Sequence, residues 1–163
     1  MNRCVVPTMP MEKREQLERR IYLHPGALWA EPAAAAITTV LGSCVSVCLW
    51  DPHTTYGGIN HFILPHGGAV QSARYGNHAL TMLLERMLEL GAQRETLLAC
   101  VFGGASVMPG TAPGPTLGSR NVAEALDFLT RNGIALLRQD VTGRQGRKLT
   151  FRTTDGSTLI RKL

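Results

Sequence analysis

The stretch that decides the fold reads ITTVLGSCVSVCLWDP and covers residues 37–52. Two runs of mainly β-branched and apolar residues, 37–41 and 45–50, flank the tripeptide Gly-Ser-Cys at 42–44. Runs of this kind are typical of buried strands, and a small-residue pair between them is typical of a turn. The stretch therefore predicts two strands joined by a tight turn, with Cys44 at the junction.

A third strand candidate, GINHFIL at residues 58–64, follows the turn DPHTTYGG at residues 51–58. Alternation along an extended chain places Ile59, His61 and Ile63 on one face. The intervening turn is short enough for this strand to pair with residues 45–50. We therefore expect a hairpin that brings His61 towards Cys44.

The rest of the chain adds helices and further strands. Leucines and methionines recur at helical spacing over residues 77–90, and Gly91 supplies a left-handed stop. A second helix is predicted over residues 120–131, with Ser119 as its cap and Gly133 at its end. Residues 96–102, 134–141, 148–153 and 158–163 are further strand candidates. The expected fold class is α/β, a layered α/β sandwich of about six or seven mostly antiparallel strands with two main helices.

Length and composition indicate one compact domain. The chain has 163 residues, of which 44% are hydrophobic and 18% charged. Residues 1–20 are predicted to be an N-terminal extension, since their apolar stripe is thin, and residues 21–163 to be a single domain. There is no apolar run long enough to cross a bilayer and no secretory leader, so we expect a cytoplasmic protein without membrane insertion. Its four cysteines are expected to be free thiols: Cys4 in the tail, Cys48 and Cys100 in the core, and Cys44.

The net charge of +5 is concentrated at the end of the chain. Residues 138–163 hold seven basic and two acidic side chains, which is the whole excess. A basic region of this kind favours an acidic partner. Aromatic residues make up only 6% of the chain and no basic helix accompanies the charge, so no nucleic-acid partner is expected.

Cys44 and His61 together suggest nucleophilic chemistry. A thiol attacks as its thiolate, and a histidine partner or backbone donors from a small-residue turn lower its pKa. The imidazole then needs a third group to fix its tautomer, and the hydroxyl of Thr38 or of Thr39 is available. Two other interpretations stay open: a cysteine that only fills the core, and a metal site in which Cys44 and Cys48 are joined by a histidine, His61 or His66.

The loop GGASVMPGTAPGPTLGSR at residues 103–120 ends at a predicted helix N-terminus. Such a loop can bind an anion, but it lacks the Gly-Lys-Ser/Thr ending of a nucleotide-binding loop. Its first glycines, Gly103 and Gly104, either line a substrate cleft or form a tight turn beneath it.

The stretches TTVLGSCVSVCLWDP and GGINHFILP resemble the signature of the CheD family of chemoreceptor glutamine deamidases. FGGASVM at 102–108, LGSRNV at 117–122 and GRQGRKLTFRTTDG at 143–156 resemble further landmarks in the same order, so the resemblance covers about residues 22–162. It implies a cysteine hydrolase with a Cys-His-Thr triad. The residues that match are Cys44 as nucleophile, His61 as base and Thr38, six positions before the cysteine, with Thr39 adjacent. Ser43, Gly103 and Gly104 are the expected substrate-binding residues.

The same resemblance implies the activity and the partners. The expected enzyme is a protein-glutamine glutaminase that converts glutamines of chemoreceptors, the methyl-accepting chemotaxis proteins, to glutamate through a thioester, with no cofactor and no metal. Its expected partners are the cytoplasmic helices of chemoreceptors and a CheC-type phosphatase. Two alternatives remain: a non-catalytic protein that docks on receptors or on the phosphatase, and hydrolysis of receptor methyl esters by the same thiol.

Overall fold

The computed structural model describes residues 18–108 and 113–163. Within these residues the chain forms nine strands, two α-helices and one short 3₁₀ helix at Arg94–Thr96. The region contains no helix with the length and apolarity that a bilayer crossing requires. In chain order the elements are β1 (Arg19–Tyr22), β2 (Ala27–Glu31), β3 (Ala35–Leu41), β4 (Val45–Asp51), β5 (Tyr56–His61), α1 (Gly76–Glu89), β6 (Leu98–Gly103), α2 (Leu117–Arg131), β7 (Ala135–Val141), β8 (Arg147–Arg152) and β9 (Thr158–Lys162).

The strands form two sheets. A four-stranded sheet has the order β1-β3-β8-β9, and a five-stranded sheet has the order β2-β5-β4-β6-β7. The pairs β1–β3 and β6–β7 are parallel, and every other pair between these strands is antiparallel. The predicted α/β class with mostly antiparallel strands is therefore confirmed, and so is the β4–β5 hairpin. The strand count is higher than the predicted six or seven because β1 and β2 were not foreseen.

The sheets and helices stack in three layers. One apolar cluster fills the space between the two sheets, with Ile37 from β3, Phe151 from β8 and Ile59 from β5 among its members. A second cluster joins the other face of the five-stranded sheet to α1 and α2. Alternation along β4 explains this division, because Val45, Val47 and Leu49 face the helices while Cys48 faces the other sheet.

Both predicted helices are present, and the N-cap of α2 differs from the predicted one. Glycines with left-handed backbone follow both helices as expected, Gly91 at φ 102° and Gly133 at φ 64°. Helix α2 begins three residues earlier than predicted. Its cap is Thr116, whose hydroxyl accepts a hydrogen bond from the Ser119 N–H at 3.1 Å, so Ser119 lies in the first turn and is not the cap.

Two predictions fall wholly or partly outside the described residues. Of the predicted N-terminal extension at residues 1–20, residues 1–17, including Cys4, are outside the described part of the chain. The last two residues of that predicted extension already belong to β1, which begins at Arg19. The loop at residues 103–120 is described except for residues 109–112.

Candidate active site

Cys44 lies in the turn that leads from one sheet to the other. Strand β3 of the four-stranded sheet ends at Leu41, and β4 of the five-stranded sheet begins at Val45. The Cys44 side chain is half-buried against the cluster between the sheets. The sulfur is thus not sealed inside the core, as a purely structural cysteine would be.

His61 is the last residue of β5 and lies diagonally across the hairpin from Cys44. Val45 and Phe62 exchange two backbone hydrogen bonds, of 3.1 and 3.0 Å, and Cys44 and His61 flank this pair on opposite strands. Diagonal neighbours of this kind have Cα atoms about 7–8 Å apart. The His61 side chain is only 1% exposed.

The imidazole of His61 is held from the opposite sheet by Thr39. The Thr39 Oγ1 to His61 Nδ1 distance is 2.7 Å, and Thr39 Oγ1 also donates to the Leu23 carbonyl at 2.8 Å. A hydroxyl has one proton to donate, and Leu23 receives it. The imidazole must therefore donate its Nδ1–H to Thr39, which leaves Nε2 as the unprotonated nitrogen. Nε2 is buried and has no hydrogen-bond partner among the described residues.

Thr38, the residue assigned from the sequence, lies elsewhere. Its hydroxyl is 3.2 Å from that of Thr150, on the outer face of the four-stranded sheet. Neighbouring residues of a strand point to opposite faces, and only Thr39 points between the sheets, where it is completely buried. The structure therefore places Thr39, and not Thr38, against the histidine, and the catalytic role of either hydroxyl stays a prediction.

Burial shifts the pKa values of Cys44 and His61 in the directions that favour their neutral forms. Burial raises the pKa of the Cys44 thiol above its ordinary value, and the N–H of Cys44 itself lowers it by a smaller amount. Burial lowers the pKa of His61 from 6.5 to about 4. The arrangement suits a neutral imidazole that takes the thiol proton during attack.

All three backbone carbonyl oxygens of the turn at residues 42–44 accept hydrogen bonds. The Gly42 oxygen accepts from the Ala105 N–H and the Cys44 oxygen from the Gly104 N–H, both at 2.8 Å. The Ser43 oxygen accepts from the side-chain amide of Asn121 at 3.0 Å. Within the described residues, the N–H groups of Ser43 and Cys44 donate to no carbonyl or side-chain oxygen. The Ser43 N–H thus has no oxygen acceptor among the described residues, and the Cys44 N–H faces its own sulfur. Backbone donors next to a nucleophile are what an oxyanion requires.

Gly103 and Gly104 support this turn from below. Both are buried and have left-handed backbone, with φ of 108° and 71°. A Cβ on Gly103 would lie 2.2 Å from the Cys44 carbonyl oxygen, so no other residue fits there. Their position agrees with the alternative of a tight turn beneath the cleft, and their contact with substrate stays a prediction. Ser43 is half-buried beside the cysteine, and its contact with substrate stays a prediction.

Asn121 is the residue that the sequence reasoning missed. Its Nδ2 donates to the Ser43 carbonyl at 3.0 Å and to the Ile63 carbonyl at 2.8 Å. It lies on the buried stripe of α2 beside Gly118 and Val122, where a polar residue interrupts an apolar pattern. That interruption within LGSRNV was the available signal.

Unpartnered polar atoms cluster around the same place. Among the described residues, four buried side-chain nitrogen or oxygen atoms have no hydrogen-bond partner. All four lie on or next to the segments that carry Cys44 and His61. Buried polar groups are normally satisfied, so a concentration of unpartnered atoms next to these segments sets this region apart from the rest of the described core. The atoms are Ser46 Oγ, Asn60 Nδ2, His61 Nε2 and Asn121 Oδ1.

The metal-site interpretation finds no assembled ligand set. No group of three or more histidine, cysteine, aspartate or glutamate side chains within the described ranges is placed to hold a metal ion. Cys48 lies opposite Cys100 in the β4–β6 pair, and both are buried as predicted. The Nε2 atom of His66 is 2.9 Å from a carboxylate oxygen of Glu124.

The basic residues of the C-terminal region occupy different parts of the fold. Arg147 is buried and binds Asp140 at 2.8 Å, so it serves the fold. Others lie on the outer face of the four-stranded sheet, which is defined here by the outward residues of β1, β3, β8 and β9. The basic members of this outer face are Arg20, Lys148, Arg152 and Arg161.

Comparison with known proteins gives a consistent result. The family model described as CheD chemotactic sensory transduction matches residues 63–162. A protein of Anaeromyxobacter dehalogenans, named "Probable chemoreceptor glutamine deamidase CheD 1", is 46% identical over 88% of this chain and 85% of its own. Because that match spans 88% of the chain, it includes Cys44 and His61 wherever it starts.

Two further relatives carry the name "Probable chemoreceptor glutamine deamidase CheD". The protein of Rhodospirillum rubrum is 46% identical over 87% of this chain and 81% of its own, and that of Trichlorobacter lovleyi is 42% identical over 87% and 89%. Among solved structures, the Neisseria meningitidis protein NMB0706, of family-model DUF152, has a TM-score of 0.49 at 13% identity and covers 93% of this chain and 78% of its own.

Proposed function

Since this chain belongs to the CheD family, we propose that it is a chemoreceptor glutamine deamidase, which hydrolyses glutamine side chains of chemoreceptors to glutamate. The observation that supports this most directly is the state of His61. Its Nδ1 is tied to Thr39, which leaves Nε2 as the unprotonated nitrogen, and Nε2 is buried without a hydrogen-bond partner among the described residues. A general base needs this combination of fixed tautomer and free lone pair.

In the first half of the proposed reaction, His61 Nε2 takes the proton of the Cys44 thiol while the sulfur attacks the glutamine carboxamide carbon. The carbonyl oxygen becomes an oxyanion, which the N–H groups of Ser43 and Cys44 stabilise. Thr39 accepts the Nδ1–H throughout, so it supports the imidazolium that forms. The imidazolium then gives its proton to the departing amide nitrogen, ammonia leaves, and a thioester on Cys44 remains.

In the second half, His61 takes a proton from water and the resulting hydroxide equivalent attacks the thioester carbon. The same two N–H groups hold the second oxyanion. Its collapse expels the Cys44 thiolate, which recovers the proton from His61. The balance is one glutamine and one water converted to one glutamate and one ammonia, with the protein unchanged.

Two further parts of the proposal concern docking. The outer face of the four-stranded sheet carries Lys148 and Arg161 as cross-strand neighbours and Arg20 further along the same face, which suits an acidic receptor helix. Such complementarity raises the rate of encounter more than it raises the affinity. The CheC-type phosphatase implied by the family resemblance is the second proposed partner, and co-elution of the two purified proteins tests it.

The deciding experiment measures ammonia release from a purified cytoplasmic receptor fragment, with conversion of amide to carboxyl followed by mass spectrometry. The wild-type protein is expected to turn over, and Cys44→Ala is expected to have no activity with an unchanged melting temperature. Cys100→Ala is the matched control, since it removes a thiol of the same layer away from the site. A correctly folded wild-type protein that binds the fragment without deamidating it would support the docking alternative instead.

A further inference from the structure

We propose that Asn121 is a positioning residue that orients the Ser43–Cys44 peptide so that its N–H faces the oxyanion. This inference rests on the proposed deamidase function and adds a residue of α2 to its machinery. The contact that carries it is the hydrogen bond of 3.0 Å from Asn121 Nδ2 to the Ser43 carbonyl.

Because the peptide bond is planar, a contact that holds the Ser43 carbonyl also fixes the direction of the Cys44 N–H. In a trans peptide the C=O and the following N–H point in opposite directions. Asn121 draws the Ser43 carbonyl towards α2, so the N–H of Cys44 is directed away from the helix. That N–H lies against its own sulfur, where it lowers the thiol pKa. The peptide is thus fixed in the orientation that places a donor next to the nucleophile.

The same amide also fixes the strand that carries the base. Its second proton goes to the carbonyl of Ile63 at 2.8 Å, two residues after His61. One side chain therefore ties the turn of Cys44 to the strand of His61. A displacement of either segment would lengthen one of these two bonds.

The environment of Asn121 indicates that it does not serve packing. It is completely buried, and its Oδ1 has no hydrogen-bond partner among the described residues. A buried acceptor without a partner destabilises a protein. A leucine at this place in the apolar stripe of α2 would avoid that cost, so the amide is better explained by its two donors.

The test separates oxyanion stabilisation from general damage to the site. Asn121→Leu keeps the branching of the side chain and removes both donors, and we expect kcat to fall about 10–100-fold with KM changed less than about 3-fold. Alkylation of Cys44 by iodoacetamide forms no oxyanion, so its rate should change less than about 3-fold. A receptor peptide with an aldehyde in place of the glutamine amide forms a thiohemiacetal, and its affinity should fall by the same factor as kcat.

A second variant and a control make the result decisive. Asn121→Asp keeps the shape and replaces the donors with carboxylate oxygens, and the same division between turnover and alkylation is expected. Asn77→Leu is the matched control, because Asn77 also donates from a helix to a loop carbonyl, that of Gly67, but away from the turn; it should leave kcat unchanged. Unchanged turnover in both Asn121 variants would overturn the inference, as would an equal loss of turnover and alkylation. The aldehyde comparison needs no turnover, so it tests Asn121 even if wild-type protein fails to deamidate receptor fragments.

Discussion

Replacing Thr39 with valine is the sharpest test of how the histidine is held. Valine keeps the shape of threonine and removes the hydroxyl, which leaves both His61 Nδ1–H and the Leu23 carbonyl without a partner. Both groups lie in a region where Thr39 is 0% and His61 1% exposed, so water does not replace the lost contacts. The two losses act on different properties of the protein.

The loss at Leu23 affects the free energy of unfolding, while the loss at His61 affects both stability and rate. An unsatisfied buried polar group costs about 1–3 kcal/mol, so the free energy of unfolding is expected to fall by that amount or somewhat more. The transition state carries an imidazolium, whose Nδ1–H needs its acceptor more than the neutral ring does. A difference of about 1.4–2.8 kcal/mol corresponds to a loss of about 10–100-fold in kcat.

Thr38→Val is the internal control for this measurement. The Thr38 hydroxyl bonds Thr150 on the outer face of the four-stranded sheet, and its loss should change kcat less than about 3-fold. Ammonia release under saturating receptor fragment gives kcat, and urea unfolding gives the stability of each variant. If Thr38→Val slows turnover more than Thr39→Val does, the role deduced for Thr39 is refuted and the assignment made from the sequence is restored.

Three further predictions concern stability and substrate encounter. Burial lowers the pKa of His61 from 6.5 in the unfolded state to about 4 in the folded state, so the unfolded state binds more protons between these pH values. The contribution of His61 to the free energy of unfolding should be fully present above pH 6.5 and should fall by about 3 kcal/mol as the pH drops through about 4. His61→Gln should remove that part of the pH dependence in urea titrations. Gly103→Ala should lower the free energy of unfolding by more than about 3 kcal/mol because its Cβ meets a backbone oxygen at 2.2 Å, whereas Gly133→Ala, with open space around it, should cost about 1 kcal/mol in the same assay. Lys148→Glu combined with Arg161→Glu should reduce kcat/KM for an acidic receptor fragment about tenfold at low salt, and a difference that persists unchanged at high salt would contradict electrostatic steering.

The sequence predicts the regular elements well wherever the pattern is local. The seven foreseen strands and both helices are present, because alternating or helical spacing of apolar residues reflects which side is buried. The two missed strands lack that signal. β1 is a four-residue strand with two arginines, largely exposed, and β2 pairs only with β5 at the end of its sheet. Their formation depends on distant partners that no local pattern reveals.

The sequence predicts the pairing of Cys44 with His61, but it does not predict which residues contact and orient these two. Cys44 and His61 stand out through the turn and the hairpin. Thr38 and Thr39 are adjacent, and a shift of one residue moves a side chain to the opposite face, so sequence alone does not tell which hydroxyl reaches the imidazole. The neutral state of both groups is likewise a product of burial in the folded protein. Asn121 comes from a helix that follows the turn by more than seventy positions.

The hydrogen bond that holds His61 joins the two β-sheets, since the Thr39 hydroxyl comes from β3 and the imidazole from β5. Any sliding of one sheet across the other alters the position of the imidazole before it disrupts either ladder of backbone bonds. Turnover should therefore disappear at denaturant concentrations that leave the β-sheet circular dichroism intact. A small molecule lodged at the margin of the sandwich would inhibit by the same route, without approaching the sulfur.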